Sequence, residues 1–150
     1  MTTKVKPVPE GYHTVIPYIV VPGVAKLIDF AKQAFGATEV HVSKLPDGSV
    51  MHAEIKIGDS IIMMGDGGQT FKTFLAMLHL YMEDVDAVYQ RAIQAGGKSL
   101  REPTDQFYGD RSAAVEDSFG NQWWIATHVE DVAPEEIERR AKAAQAQAVQ

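Results

Sequence analysis

The feature that most constrains this chain is an internal repeat. A strand-like run, a helical stretch stopped by glycine and three further strand-like runs occur in residues 13–68 and again in residues 74–131. In the first copy, residues 13–21 are rich in β-formers and end at Pro22-Gly23. Val24, Leu27, Ile28, Ala31, Ala34 and Phe35 then recur at helical spacing, and Gly36 is placed to end that helix. Residues 38–43 predict a short strand, and Pro46-Asp47-Gly48 a turn, since proline presets φ and glycine accepts a positive one. Residues 50–57 alternate strictly, with Met51, Ala53, Ile55 and Ile57 on one face and His52, Glu54 and Lys56 on the other. Gly58-Asp59 predicts a tight hairpin into a strand over 60–64, and residues 65–69 read as a flexible glycine-rich rim.

The second copy follows the same order. Residues 75–82 predict a strand, and Asp84 caps a helix carrying Val85, Val88, Tyr89, Ala92 and Ile93, which stops at Gly96-Gly97. A short strand over 98–101, a longer loop over 102–110, and strands over 111–116 and 122–128 complete it. The two helix-ending glycines, Gly36 and Gly96, stand about 60 positions apart, as a duplicated βαβββ unit requires. The expected fold is therefore α+β: two βαβββ repeats forming a curved mixed sheet with a concave cavity, plus a C-terminal helix. Residues 1–12, polar with two prolines, read as a flexible arm. Residues 13–131 form one domain, and 132–150 a helical tail begun by Pro134, Glu135 and Glu136. That tail either frays or packs on a partner subunit.

Composition excludes several classes of function. A net charge of −6 leaves no basic surface for nucleic acid or an anionic membrane. With no cysteine, a disulfide framework, a zinc-thiolate site and a thiol nucleophile are all ruled out. No run approaches the ~20 apolar residues of a membrane helix, and the N-terminus lacks a signal-peptide pattern, so the cytoplasm is the expected location.

Several short segments carry a resemblance. They are Pro17-Tyr18, Ile28-Asp29-Phe30, Phe35-Gly36-Ala37, His52-Ala53-Glu54, His79-Leu80-Tyr81, Glu83-Asp84-Val85-Asp86, Tyr108-Gly109-Asp110-Arg111 and the run from Asp117 through Trp124. Across residues 13–131 the chain resembles the vicinal-oxygen-chelate superfamily of glyoxalases, bleomycin-resistance proteins and extradiol dioxygenases, in its PhnB-like branch. The resemblance implies the fold without choosing a reaction, because the superfamily includes metal-dependent isomerases, dioxygenases and thiol transferases as well as metal-free drug-binding proteins. Its metal enzymes place one ligand, usually His, Gln or Glu, on each of four strands. The helix and turn landmarks bring those positions to Ile16, Met63, Met77 and Trp124 here, none of them a ligand for a hard divalent metal. The resemblance thus implies no metal and no other cofactor. A shift of two along the third strand would exchange Met77 for His79.

Alternation then assigns a cavity face. Tyr18, His52, Glu54, Met63, Met77, His79, Tyr81 and Trp124 lie on it, and Tyr108 and Arg111 stand at the end of the long loop. This is the make-up of a small-molecule pocket, mostly apolar with a few orienting polar groups. Each residue also has a plainer role. His52 and Glu54 could be a solvated strand face, Met63 and Met77 wall or core, and Arg111 an ion pair with Asp110. Adjacent Trp123 and Trp124 must face opposite ways, with Trp123 in the core and Trp124 on the ligand side.

Three functions compete: a metal-independent binder of a small organic molecule, an enzyme of the lyase, isomerase or dioxygenase type using His, Glu or Tyr for proton transfer with or without an atypical metal, and an interaction module with no ligand. The missing chelate favours the first. The pattern of the fold further predicts a homodimer.

Overall fold

The structure, a computed structural model, describes residues 4–69 and 71–148. Residues 1–3 of the expected arm and 149–150 of the expected tail lie outside the described residues. The chain divides into two compact units, Met1–Ala76 and Met77–Gln150. Each contains one copy of the βαβββ repeat, and each repeat forms a four-stranded mixed sheet of its own.

In the first unit the elements are β1 (Tyr18–Val21), α1 (Val24–Phe35), β2 (Thr38–Lys44), β3 (Val50–Ile57) and β4 (Ser60–Asp66). The sheet order is β1-β4-β3-β2, with β1 parallel to β4 and the other pairs antiparallel. One face of the sheet (Ile19, Val21, Ala53, Ile55, Ile62 and Met64) is buried, and so is the apolar stripe of α1 (Val24, Leu27, Ile28, Ala31 and Ala34). Gly36 adopts the left-handed conformation that ends α1, as its position predicts.

The first strand is shorter than expected. Pairing with β4 begins at Tyr18, because Pro17 has no N–H for the ladder and contributes only its carbonyl, which accepts from the Met63 N–H at 3.0 Å. Ile16 therefore lies outside the sheet. A second departure is at Met51, which the alternation placed on the helix side. A register shift between β2 and β3 pairs Ser43 with His52 and Lys44 with Val50, skipping Met51. Val50 takes the buried position, and Met51 turns out with 55% of its surface exposed. A third departure concerns residues 65–69, read as a flexible rim: β4 continues through Gly65 and Asp66.

The second unit repeats the plan with β5 (Met77–Tyr81), α2 (Val85–Gln94), β6 (Lys98–Asp105), β7 (Asp110–Glu116) and β8 (Gln122–His128), in the order β5-β8-β7-β6. Strand β6 runs four residues beyond the expected end, so the anticipated loop over 102–110 shrinks to the turn between Asp105 and Asp110. Trp123, Ile125, Ala113 and Val115 are fully buried, as is the stripe of α2 formed by Val85, Val88 and Ala92. The turn from Asp117 to Asn121 is organised by one buried carboxylate. Asp117 accepts hydrogen bonds from the Phe119 and Asn121 backbone N–H groups, the Asn121 amide and the Trp123 indole N–H, all at 2.9–3.0 Å.

The tail is ordered as α3 (Pro134–Ala148). Arg140 holds it by donating to Glu130 at 3.0–3.1 Å and to the Phe107 carbonyl at 3.1 Å. Among the described residues, no helix is long and apolar enough to cross a membrane.

Candidate functional site

The sheet face opposite α1 carries a continuous chain of hydrogen bonds. The Tyr18 hydroxyl lies 3.0 Å from His52 Nδ1, and His52 Nε2 lies 2.8 Å from Glu54 Oε2. The other Glu54 oxygen accepts from the Tyr12 hydroxyl. Strand pairing explains the arrangement. Tyr18 is in register with Met63, and Met63 with Glu54, so the three side chains stand in one row across β1, β4 and β3. His52 is two residues from Glu54 on the same face of β3. Gly65 of β4 leaves the space that the phenol crosses: a Cβ there would lie 3.0 Å from the Tyr18 hydroxyl and 2.9 Å from the Met51 carbonyl oxygen.

Electrostatics fix the direction of this chain. Hydrogen bonds from Tyr12 and then from His52 hold the Glu54 pKa below the usual carboxylate range, against the opposing effect of burial. Desolvation, followed by the Glu54 charge, raises the pKa of Tyr18, which keeps the phenol protonated at neutral pH. An ionised carboxylate can only accept, so Nε2 of His52 bears a proton.

Beside this chain lies a cleft of about 250 Å³ lined by Tyr18, Val20, Met51, Gly65, Asp66 and Phe71. Asp66 is its structural corner. One oxygen accepts from the Gly23 and Val24 N–H groups at the start of α1, at 3.1 and 2.7 Å, and the other from the Val50 N–H at 2.7 Å. One carboxylate thereby caps the helix and stabilises the bulge that turns Met51 toward the cleft. A second, shallower depression is formed by Pro7, Val8, Pro9, Tyr12, His13, Thr14, Ile16, Glu54 and Met63. Residues 7–12, read from the sequence as a flexible arm, here supply part of its wall.

The second unit repeats the layout with different chemistry. His79 is in parallel register with Trp124, as Tyr18 is with Met63. The His79 and Tyr81 rings meet edge to face at 4.9 Å. The Arg101 guanidinium sits 5.0 Å from the centre of the half-buried Trp124 ring, whose indole N–H donates to Gln122 at 3.0 Å. Tyr81 donates to Asp110 at 2.7 Å, and Asp110 lies 2.8 Å from His128 Nδ1. His128 Nε2 is 2.7 Å from Asp131, so both ring nitrogens face carboxylates. Asp110 and then Asp131 raise the pKa of His128. Burial opposes the Asp110 charge, yet the hydrogen bonds from His128 and Tyr81 outweigh it and hold its pKa low.

The expected site residues thus fall into separate groups. Tyr18, His52, Glu54 and Met63 come together in the first unit, and His79, Tyr81 and Trp124 in the second. Met77 is 65% exposed and opposite Gln122. Tyr108 packs its ring on Phe107 at 5.2 Å. Arg111 does not pair with Asp110, because neighbours on a strand point to opposite faces. It grips Asp86 of α2 with two hydrogen bonds of 2.8 and 3.0 Å and adds Asp105 at 3.2 Å. The sequence reading missed Tyr12, Gly65, Asp66 and Phe71. A hint for Asp66 was available, since an acid beside a strand end can cap the helix of a βα unit, but its three backbone partners come from two distant segments.

Tyr18 stands opposite Met63 in the first unit and His79 opposite Trp124 in the second, so Ile16 and Met77 do not share a register with Met63 and Trp124. No group of three or more His, Asp or Glu side chains among the described residues is arranged to hold a metal ion.

The family model of the glyoxalase/bleomycin resistance protein/dioxygenase superfamily matches residues 12–125. An uncharacterized protein of Mycobacterium bovis, Mb0911c, is 36% identical over 133 residues, covering 81% of this chain and 88% of that protein. Among solved structures, TioX from Micromonospora sp. ML1 superposes with a TM-score of 0.63 at 20% identity, over 77% of this chain and 99% of TioX. The PhnB protein from Bacillus cereus does so with a TM-score of 0.59 at 16% identity, over 77% and 99% of the two chains. The match extends over most of both βαβββ repeats, and on it this chain belongs to the glyoxalase/bleomycin resistance protein/dioxygenase superfamily.

Proposed function

We propose that this chain binds a small organic molecule, without the divalent metal usual in the superfamily, and that the cleft of the first unit takes part in holding it. The observation that carries this reading is the Tyr18 hydroxyl. It lines an otherwise largely apolar cleft and is fixed from behind by His52 and Glu54. An apolar wall with one pre-oriented polar group is how small-molecule sites combine affinity with orientation. In the second unit, taken by itself, His79, Tyr81 and Trp124 are proposed as ligand contacts, with Arg101 part of the same face. Met63, Met77, Tyr108 and Arg111 serve as wall and support.

A proton-transfer enzyme is the second reading, favoured by the Glu54-His52-Tyr18 chain itself. It ranks below binding because, among the described residues, the cleft lining holds no lysine or arginine to stabilise a developing negative charge. The test is an NMR titration of the labelled protein with a fragment library, together with elemental analysis. Saturable shifts at the Met51 methyl and Gly65 amide with well below one metal per chain support the reading. Shifts confined to residues away from the cleft, or stoichiometric metal, overturn it. We further propose that the protein is a homodimer, and light scattering giving a monomer mass would refute this.

A further inference from the structure

We propose that the Glu54-His52 pair fixes the Tyr18 hydroxyl as a hydrogen-bond acceptor toward the cleft, so that the site selects ligands with an apolar body and one hydrogen-bond donor. The inference rests on the cleft being the binding site and adds what the cleft selects. The proton order follows from the geometry. Glu54 lies 2.8 Å from His52 Nε2, and a carboxylate has no proton to give, so Nε2 donates. In the neutral ring Nδ1 is then a bare lone pair, 3.0 Å from the Tyr18 oxygen. The single phenolic proton is committed to that lone pair. What remains on the Tyr18 oxygen for a ligand is acceptor capacity alone.

Three further features hold the arrangement in place. Tyr12 donates to the second Glu54 oxygen, which keeps the carboxylate oriented and ionised. Gly65 is needed for space, because a Cβ at that position would press on the Tyr18 hydroxyl at 3.0 Å. The other polar side chain of the lining, Asp66, is already satisfied by three backbone N–H groups and holds the wall together. Val20, Met51 and Phe71 complete an apolar surround. A hydroxyl, an amide N–H or an ammonium on an aliphatic or aromatic body meets these requirements. An ether or a ketone on the same body leaves the Tyr18 lone pair without a donor and binds more weakly.

The experiment compares benzyl alcohol, which can donate, with benzyl methyl ether and acetophenone, which can only accept, by NMR titration read at the Met51 methyl and Gly65 amide. Wild-type protein should bind benzyl alcohol about three- to tenfold more tightly, the worth of one net hydrogen bond. Tyr18→Phe should erase the preference by weakening benzyl alcohol. His52→Ala frees the phenolic proton and should erase it in the opposite way, by strengthening acetophenone. A merely structural histidine would not produce that gain. Equal affinity for all three probes in wild-type protein, with clear shifts at Met51 and Gly65, overturns this inference while leaving the cleft as the binding site. No shift at either residue with any probe at millimolar concentration overturns the binding site and the inference together.

Discussion

Replacing Trp123 tests the strand register on which the face assignments in the second unit depend. Trp123 is fully buried, and its indole N–H donates to the buried Asp117 carboxylate at 2.9 Å. Trp123→Ala empties a large aromatic core site, which costs about 3–5 kcal/mol. It also removes one donor from Asp117, adding roughly 1 kcal/mol. At roughly 2–4 °C per kcal/mol for a protein of this size, the unfolding midpoint should fall by about 10–20 °C. Trp123→Phe keeps much of the buried ring and loses the N–H, so about 2–3 kcal/mol is expected. Trp124 is half-buried and lies under Arg101, so Trp124→Ala should cost only about 1–2 kcal/mol. Urea denaturation followed by far-ultraviolet circular dichroism measures all three without relying on tryptophan emission. If Trp124→Ala proves more damaging than Trp123→Ala, the faces are exchanged and the placement of His79 and Trp124 on the ligand side fails.

Other expectations follow from the same geometry. Asp66→Ala strips the acceptor from three backbone N–H groups and should destabilise the protein by about 2–3 kcal/mol in chemical denaturation, with Asp66→Asn intermediate. His128 has a raised pKa, so its contribution is fully present below its unfolded value of about 6.5 and is lost as pH rises through the folded value. Thermal midpoints should therefore decline between about pH 6.5 and the raised folded value, and His128→Gln should flatten the decline there; an unchanged slope would count against the Asp110-His128-Asp131 cluster. Gly65→Ala should displace the Tyr18 phenol from His52, visible as a changed His52 ring resonance in NMR, and an unaltered resonance would show that Tyr18 has room to spare.

Much of the fold was legible because the relevant signals are local. The helical spacing of Val24, Leu27, Ile28, Ala31 and Phe35, the stop at Gly36 and the alternation through Ala53 and Ile55 each depend on neighbours within a few residues. The opposite burial of Trp123 and Trp124 follows from the pleat alone. Met51 escaped because a bulge breaks that alternation, and the bulge is supported by Asp66, 15 positions away in the sequence. Arg111 was paired with the wrong acid because chain proximity is a poor guide within a strand. Its partners Asp86 and Asp105 reach it only after α2 and β6 have packed against β7.

The sequence by itself determined the repeat, the two βαβββ units, the order of the elements and, where no bulge intervenes, which residues of a strand share a face, because turn chemistry and hydrophobic periodicity act over short stretches of chain. Register was decided only in the tertiary structure. Pro17 marks locally where β1 can begin, but which β4 residue stands opposite Tyr18 depends on which backbone groups find partners, and no local preference encodes that choice. The hydrogen-bond chain from Tyr12 through Glu54 and His52 to Tyr18 has the same origin. It joins residues up to 42 positions apart, and its members meet because a glycine in the intervening strand leaves the phenol room to cross.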